Sequence, residues 1–115
     1  MKELKSISLQ ENEYRAITTA MKVLKDVYDI ESVILFGSKS RGDDDENSDI
    51  DLLMVTARPL HWREEKALVE RLFDVGMEYD VIFSPLLTSR EEWEEGIFRE
   101  FPVYEDIMRD GALII

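Results

Sequence analysis

Apolar residues fall along this chain in two rhythms, and the changes of rhythm mark its elements. Tyr14, Ile17, Met21, Leu24 and Tyr28 recur in steps of three and four, which places them on one face of a helix. Ser8 and Glu11 have capping-box spacing at its start. The run SVILFG at 32–37 is short, apolar and β-branched, and it ends at a glycine, which predicts a buried strand. SDIDLLMVT at 48–56 predicts a second strand, closed by Pro59. Trp62, Leu68, Val69, Leu72 and Phe73 restore the helical period, with Gly76 as the stop. EYDVIF at 78–83 alternates like a third strand, and Pro85 stands just beyond it. Thr88 and Glu91 offer another capping box. Trp93, Ile97, Phe101, Tyr104 and Met108 then form a last helical face, which Pro102 breaks or kinks. The closing GALII is apolar and reads as a short strand or a docking tail.

The order is helix, strand, loop, strand, helix, strand, helix. It predicts a small α/β (α+β) domain, a mixed sheet of three or four strands backed by helices. The first two strands are close enough to pair antiparallel around a loop. The second and third can pair in parallel across the helix between them. A length of 115 residues with 44% hydrophobic side chains suits one domain over 1–115. With no cysteine, neither disulfides nor thiolate zinc sites hold it together. The N-terminus lacks the apolar core of a signal peptide, and no run reaches the roughly 18 apolar residues of a membrane span. A cytoplasmic protein with no membrane association is expected.

Charge narrows the partners. There are 14 basic against 26 acidic side chains, a net charge of -12, with no basic cluster. Nucleic-acid binders use a basic face, because neutralising phosphates drives their affinity. DNA and RNA are therefore not expected as partners. A basic protein, or a small anion whose charge is offset by bound metal, fits better; plain solubility explains the acidity equally well.

The candidate chemistry lies in ILFGSKSRGDDDENSDIDLLMV, residues 34–55. Side chains on a strand alternate faces, so Asp49 and Asp51 point the same way, with Cβ atoms roughly 6–7 Å apart. Ile50 and Leu52 face the core. Two carboxylates held this way repel and require a cation between them. Arg41 is one candidate, and a hard divalent ion with oxygen ligands, most simply Mg²⁺, is the other. Asp80 interrupts the third apolar strand in the same manner. If that strand lies beside the second, three carboxylates converge on one face and suit a two-metal phosphoryl-transfer site. Gly37 lets the backbone approach a phosphate, Ser38 offers hydroxyl and N–H donors, and Lys39 and Arg41 then lie near the phosphates. Arg41 serves an ion pair with the acidic loop at 43–46 equally well. His61, after Pro59, reads as structural, and Trp62 and Trp93 as core.

GSKSRGDDDENSDIDL resembles the signature of the polymerase-β-like nucleotidyltransferases: Gly-Ser, ten residues, then Asp-x-Asp, with a third aspartate on a later strand. The form G-S-x-x-R-G before S-D-I-D-L is similar to the minimal nucleotidyltransferases (MNT) of bacteria and archaea. Ser40 departs from that pattern, where a small residue, often Ala, is expected. The resemblance implies that Gly37 and Ser38 bind the β/γ phosphates, with Arg41 and Ser48 also at the nucleotide. It implies that Asp49, Asp51 and Asp80 are metal ligands, with Asp80 also the base. Two Mg²⁺ ions are implied, or Mn²⁺ in their place. The reaction implied is transfer of a nucleoside monophosphate, usually AMP from ATP, to a hydroxyl. Such domains are paired with a helical HEPN toxin, so a HEPN partner and a type VII-like antitoxin role are expected. Two other readings stay open: a binding module that masks a toxin without catalysis, and a small-molecule, antibiotic-type transferase that completes its cleft as a homodimer. A partner would cover Phe98, Phe101 and the tail at 113–115, unless these fill the chain's own core.

Overall fold

The computed structural model describes residues 1–43 and 48–115. Among these, five strands form one mixed sheet. They are β1 (Lys2–Glu3), β2 (Ile30–Phe36), β3 (Ile50–Thr56), β4 (Phe83–Ser89) and β5 (Ala112–Leu113), in the order β1-β5-β2-β3-β4. β2 and β3 pair antiparallel, and β3 and β4 pair in parallel, as expected from the connections. The terminal strands extend the sheet: β5 pairs antiparallel with β2, and β1 pairs in parallel with β5.

Helices cover both faces. α1 (Glu11–Leu24) and α3 (Trp62–Tyr79) lie on one, where Ile17, Leu24 and Leu68 pack against Leu35, Ile50, Leu52 and Met54. The opposite face carries Ile34, Leu53 and Val55, against Ile107 of α5 (Pro102–Asp110) and the half-buried Trp93 of α4 (Arg90–Glu94). Alternation along β3 thus sends Ile50 and Leu52 to the larger core and Asp51 to the side of α5. α2 (Ser38–Arg41) is a single turn between β2 and the acidic loop.

Several elements differ from their predicted bounds. Gln10 caps α1, with Glu13 reaching back to the Gln10 N–H at 2.8 Å, where Ser8 and Glu11 were expected. Ser89, not Thr88, caps α4 and accepts from the Glu92 N–H. Pro102 opens α5 at its first turn, where its missing N–H costs nothing. The largest difference lies between α3 and β4. Gly76 does not end α3, which continues to Tyr79, and the third strand is Phe83–Ser89 instead of 78–83. A Cβ on Gly76 would sit 2.6 Å from the Val81 carbonyl oxygen, so this glycine lets the returning chain cross the helix. Pro85 lies inside β4, an edge strand, where proline is tolerated. Trp62 is 61% exposed and is not core.

Candidate active site

The site is built on the end of β2. Gly37 has φ +75° and ψ −155°, a region essentially closed to residues with a side chain. A Cβ there would stand 2.2 Å from Asp51 Oδ2. The Asp51 carboxylate therefore packs on a bare Cα, and two constraints on position 37 have one solution. Ser38 begins α2, and Gly42 closes it in the left-handed region.

Asp51 lies opposite Phe36 across the β2–β3 pair and is half-buried. Asp49 is exposed, one residue before β3 begins. Burial pushes the Asp51 carboxyl above the usual carboxylate range, and the Asp49 charge pushes it further. A hydrogen bond from Ser84 and the positive charge of Arg41 oppose that rise. A partly desolvated carboxylate beside a second one is a place where a cation lowers the free energy. The donor set fits one hard divalent ion. Mg²⁺ takes one or two protein carboxylates and completes its shell with phosphates and water.

The remaining expected residues are placed as follows. The Arg41 guanidinium pairs with Asp43 at 3.1 Å, so its ion pair with the acidic loop is formed while its charge still reaches Asp51. The rest of that loop, 44–47, lies outside the described residues. Lys39 is enclosed in the fold. It is 2% exposed and paired with the buried Glu13 of α1, because a carboxylate enclosed there requires a cation. Ser48 lines a cleft of about 490 Å³ together with Asp80, Gln10, Phe73, Met77 and Ile82. Asp80 is not on a strand. It ends α3 in the left-handed conformation, φ +60°, which aspartate tolerates, and it is exposed. Among the described residues no three acidic, histidine or cysteine side chains form a group that could hold a metal. The structure thus brings Asp51 against Gly37, with the Asp49 charge acting on Asp51, and places Asp80 with Ser48 in a cleft.

Ser84 is the residue the sequence did not reveal. It is the β4 partner of Asp51 in the parallel register, and its hydroxyl favours the charged form of that carboxylate. Had 83–89 been read as the strand, its parity would have pointed to Ser84. His61 caps α3, its Nδ1 accepting from the Arg63 N–H at 3.2 Å, in keeping with a structural role.

The family described as polymerase beta, nucleotidyltransferase, matches residues 18–100. The chain belongs to this family. It is a nucleotidyltransferase, and the matched span contains Gly37, Ser38, Arg41, Ser48, Asp49, Asp51 and Asp80. Two curated relatives come from Methanocaldococcus jannaschii, and both carry the provisional name protein adenylyltransferase. One is 37% identical over 68 residues, covering 59% of this chain and 67% of the relative. The other is 29% identical over 105 residues, covering 90% and 98%. Among solved structures, a toxin–antitoxin with AMP-PNP superposes with a TM-score of 0.56 at 18% identity, covering 92% of this chain and 73% of that one. A Shewanella oneidensis complex of tri-AMPylated HEPN toxin with MNT antitoxin gives 0.51 at 18% identity, covering 90% and 71%. At such identities these likenesses establish the fold. Among the described residues no helix is long and apolar enough to cross a membrane.

Proposed function

We propose that this nucleotidyltransferase moves AMP from ATP to a hydroxyl of a helical HEPN-type partner protein, acting in the cytoplasm as an antitoxin. The observation that carries this reading is Asp51, with the charge of Asp49 acting on it, against the bare Cα of Gly37 at the start of the Ser38 turn. The names of the curated relatives support a protein acceptor. The complexes of the same fold, one with AMP-PNP and one with an AMPylated HEPN toxin, support the donor and the partner. Phe101 and Leu113 are exposed, so apolar surface remains for a partner to cover.

In this reading the Gly37–Ser38 backbone and the Ser38 hydroxyl hold the β and γ phosphates, with Arg41 and Ser48 at the nucleotide. Asp49 and Asp51 hold a divalent ion, Mg²⁺ or Mn²⁺. When bound, that ion neutralises phosphate charge and makes the acceptor hydroxyl more acidic. The acceptor oxygen bonds to the α-phosphorus, the bond from that phosphorus to the bridging oxygen breaks, and pyrophosphate leaves. We assign the acceptor proton to Asp80, exposed in the cleft beside Ser48. Asp80 is assigned the proton and not a second ion, since the described residues form no three-carboxylate group.

The test is to incubate the protein with ATP, Mg²⁺ and the product of the adjacent reading frame, then weigh the partner intact. A gain of one or more AMP groups, lost with D49N and with D51N, is expected. Neutralisation of the partner without any mass gain, and unaffected by both substitutions, would instead identify a binding module. AMP transfer to a small molecule by a homodimer would identify the third reading.

A further inference from the structure

We infer that Ser84 is a positioning residue, which fixes the Asp51 carboxylate so that one oxygen faces the bound cation. The inference rests on the proposed function and adds a residue that the signature motif does not contain. The β3–β4 register sets Ser84 directly beside Asp51, and in-register neighbours in a sheet project to the same face. Both are half-buried, and the Ser84 hydroxyl lies near enough to the Asp51 carboxylate to favour its charged form. On the other side, Asp51 Oδ2 rests on the Gly37 Cα. The carboxylate is thus held between a glycine that leaves it room and a hydroxyl that fixes its rotation.

The sequence stiffens the backbone that carries this hydroxyl. Pro85 follows Ser84, and a residue before proline is driven away from the helical region into extended backbone. The extended backbone at Ser84 is therefore favoured by its own chain as well as by the strand pairing. A carboxylate at the same position would add a third negative charge against Asp51 and Asp49. A serine supplies a donor with no charge, so it opposes the repulsion instead of increasing it. Partners behind metal-binding side chains typically change metal affinity by about 10- to 100-fold when removed.

The test compares S84A, S84T and S84V in the full chain, with Mn²⁺ as probe and a non-hydrolysable ATP analogue present. Free Mn²⁺ is followed by electron paramagnetic resonance, and melting temperature is measured without metal. S84T keeps the hydroxyl, and S84V has nearly its shape without it. S84A and S84V are expected to bind Mn²⁺ about 10-fold more weakly or worse, while S84T retains wild-type affinity and melts with S84V. Equal Mn²⁺ affinity of wild type, S84A and S84V would overturn the inference and leave the proposed function standing. If β-branching at 84 prevents folding, the S84A comparison decides alone. Wild type that binds Mn²⁺ independently of Asp51 would overturn the metal site itself, and the role of Ser84 with it.

Discussion

Gly37 carries two demands that no other residue type meets together, and that makes it a sharp probe at the residue scale. G37A brings a Cβ to 2.2 Å from Asp51 Oδ2, at a backbone conformation that side-chain-bearing residues avoid. Strained conformations of this kind cost about 1–3 kcal/mol. G37A is expected to lose at least that much in urea unfolding, along with nucleotide binding. Asp51 behaves in the opposite sense. Burial and Asp49 both disfavour its charge, so metal-free D51N is expected to melt no lower than wild type by differential scanning calorimetry, although it no longer holds a divalent ion. A large drop in melting temperature would instead mark Asp51 as structural. The aspartates were legible because a charge inside the apolar run before LLMV has few explanations. Lys39 was not legible. Its partner Glu13 is 26 residues away, a separation that no local pattern encodes.

Among the elements, the hinge between α3 and β4 decides where Asp80 stands. The period and Gly76 suggested a helix ending at 76, but that glycine serves close packing within the helix. Glycine costs about 1 kcal/mol in a helix interior relative to alanine, so propensity alone would favour G76A. The added Cβ meets the Val81 backbone oxygen at 2.6 Å, and such overpacking costs about 1–3 kcal/mol. Net destabilisation of up to about 2 kcal/mol is expected, together with displacement of Val81, seen as amide shift changes at 80–83 in NMR spectra. A more stable G76A would show that the chain crossing is loose. The other end of α3 depends on pH. Glu64 binds back to the His61 N–H and pairs with Arg58. The Arg58 guanidinium is the main cause that lowers its pKa to about 2 from 4.5. A lowered carboxylate stabilises above its unfolded value, and that contribution is lost as pH falls through the folded one. The melting difference between wild type and E64Q should be constant above pH 4.5 and vanish toward pH 2. A difference that persists at pH 2 would assign the effect of E64Q to packing.

For the whole molecule, the sheet pairings of β2, β3 and β4 follow from connection lengths, and the sequence carried them. Of the two remaining strands, β5 falls within GALII, which reads as a short strand or a docking tail, whereas β1 does not show itself: it is two residues long and pairs across almost the full chain, so it leaves no periodic trace. Helical periodicity found the faces of α1 and α3 but not what covers them, and so Tyr14, Trp62 and Phe73, read as inward-facing, are all more than half exposed. The charge of -12 directs attention away from basic-face chemistry and toward a site that would take its cations with the substrate. That site is tested most directly by a crystal structure of the protein with Mn²⁺ and a non-hydrolysable ATP analogue, using the anomalous signal to locate the metal. The expected result is an ion bound by both Asp49 and Asp51, with the triphosphate against Gly37 and Ser38. Metal and nucleotide bound elsewhere, with the two carboxylates untouched, would contradict it.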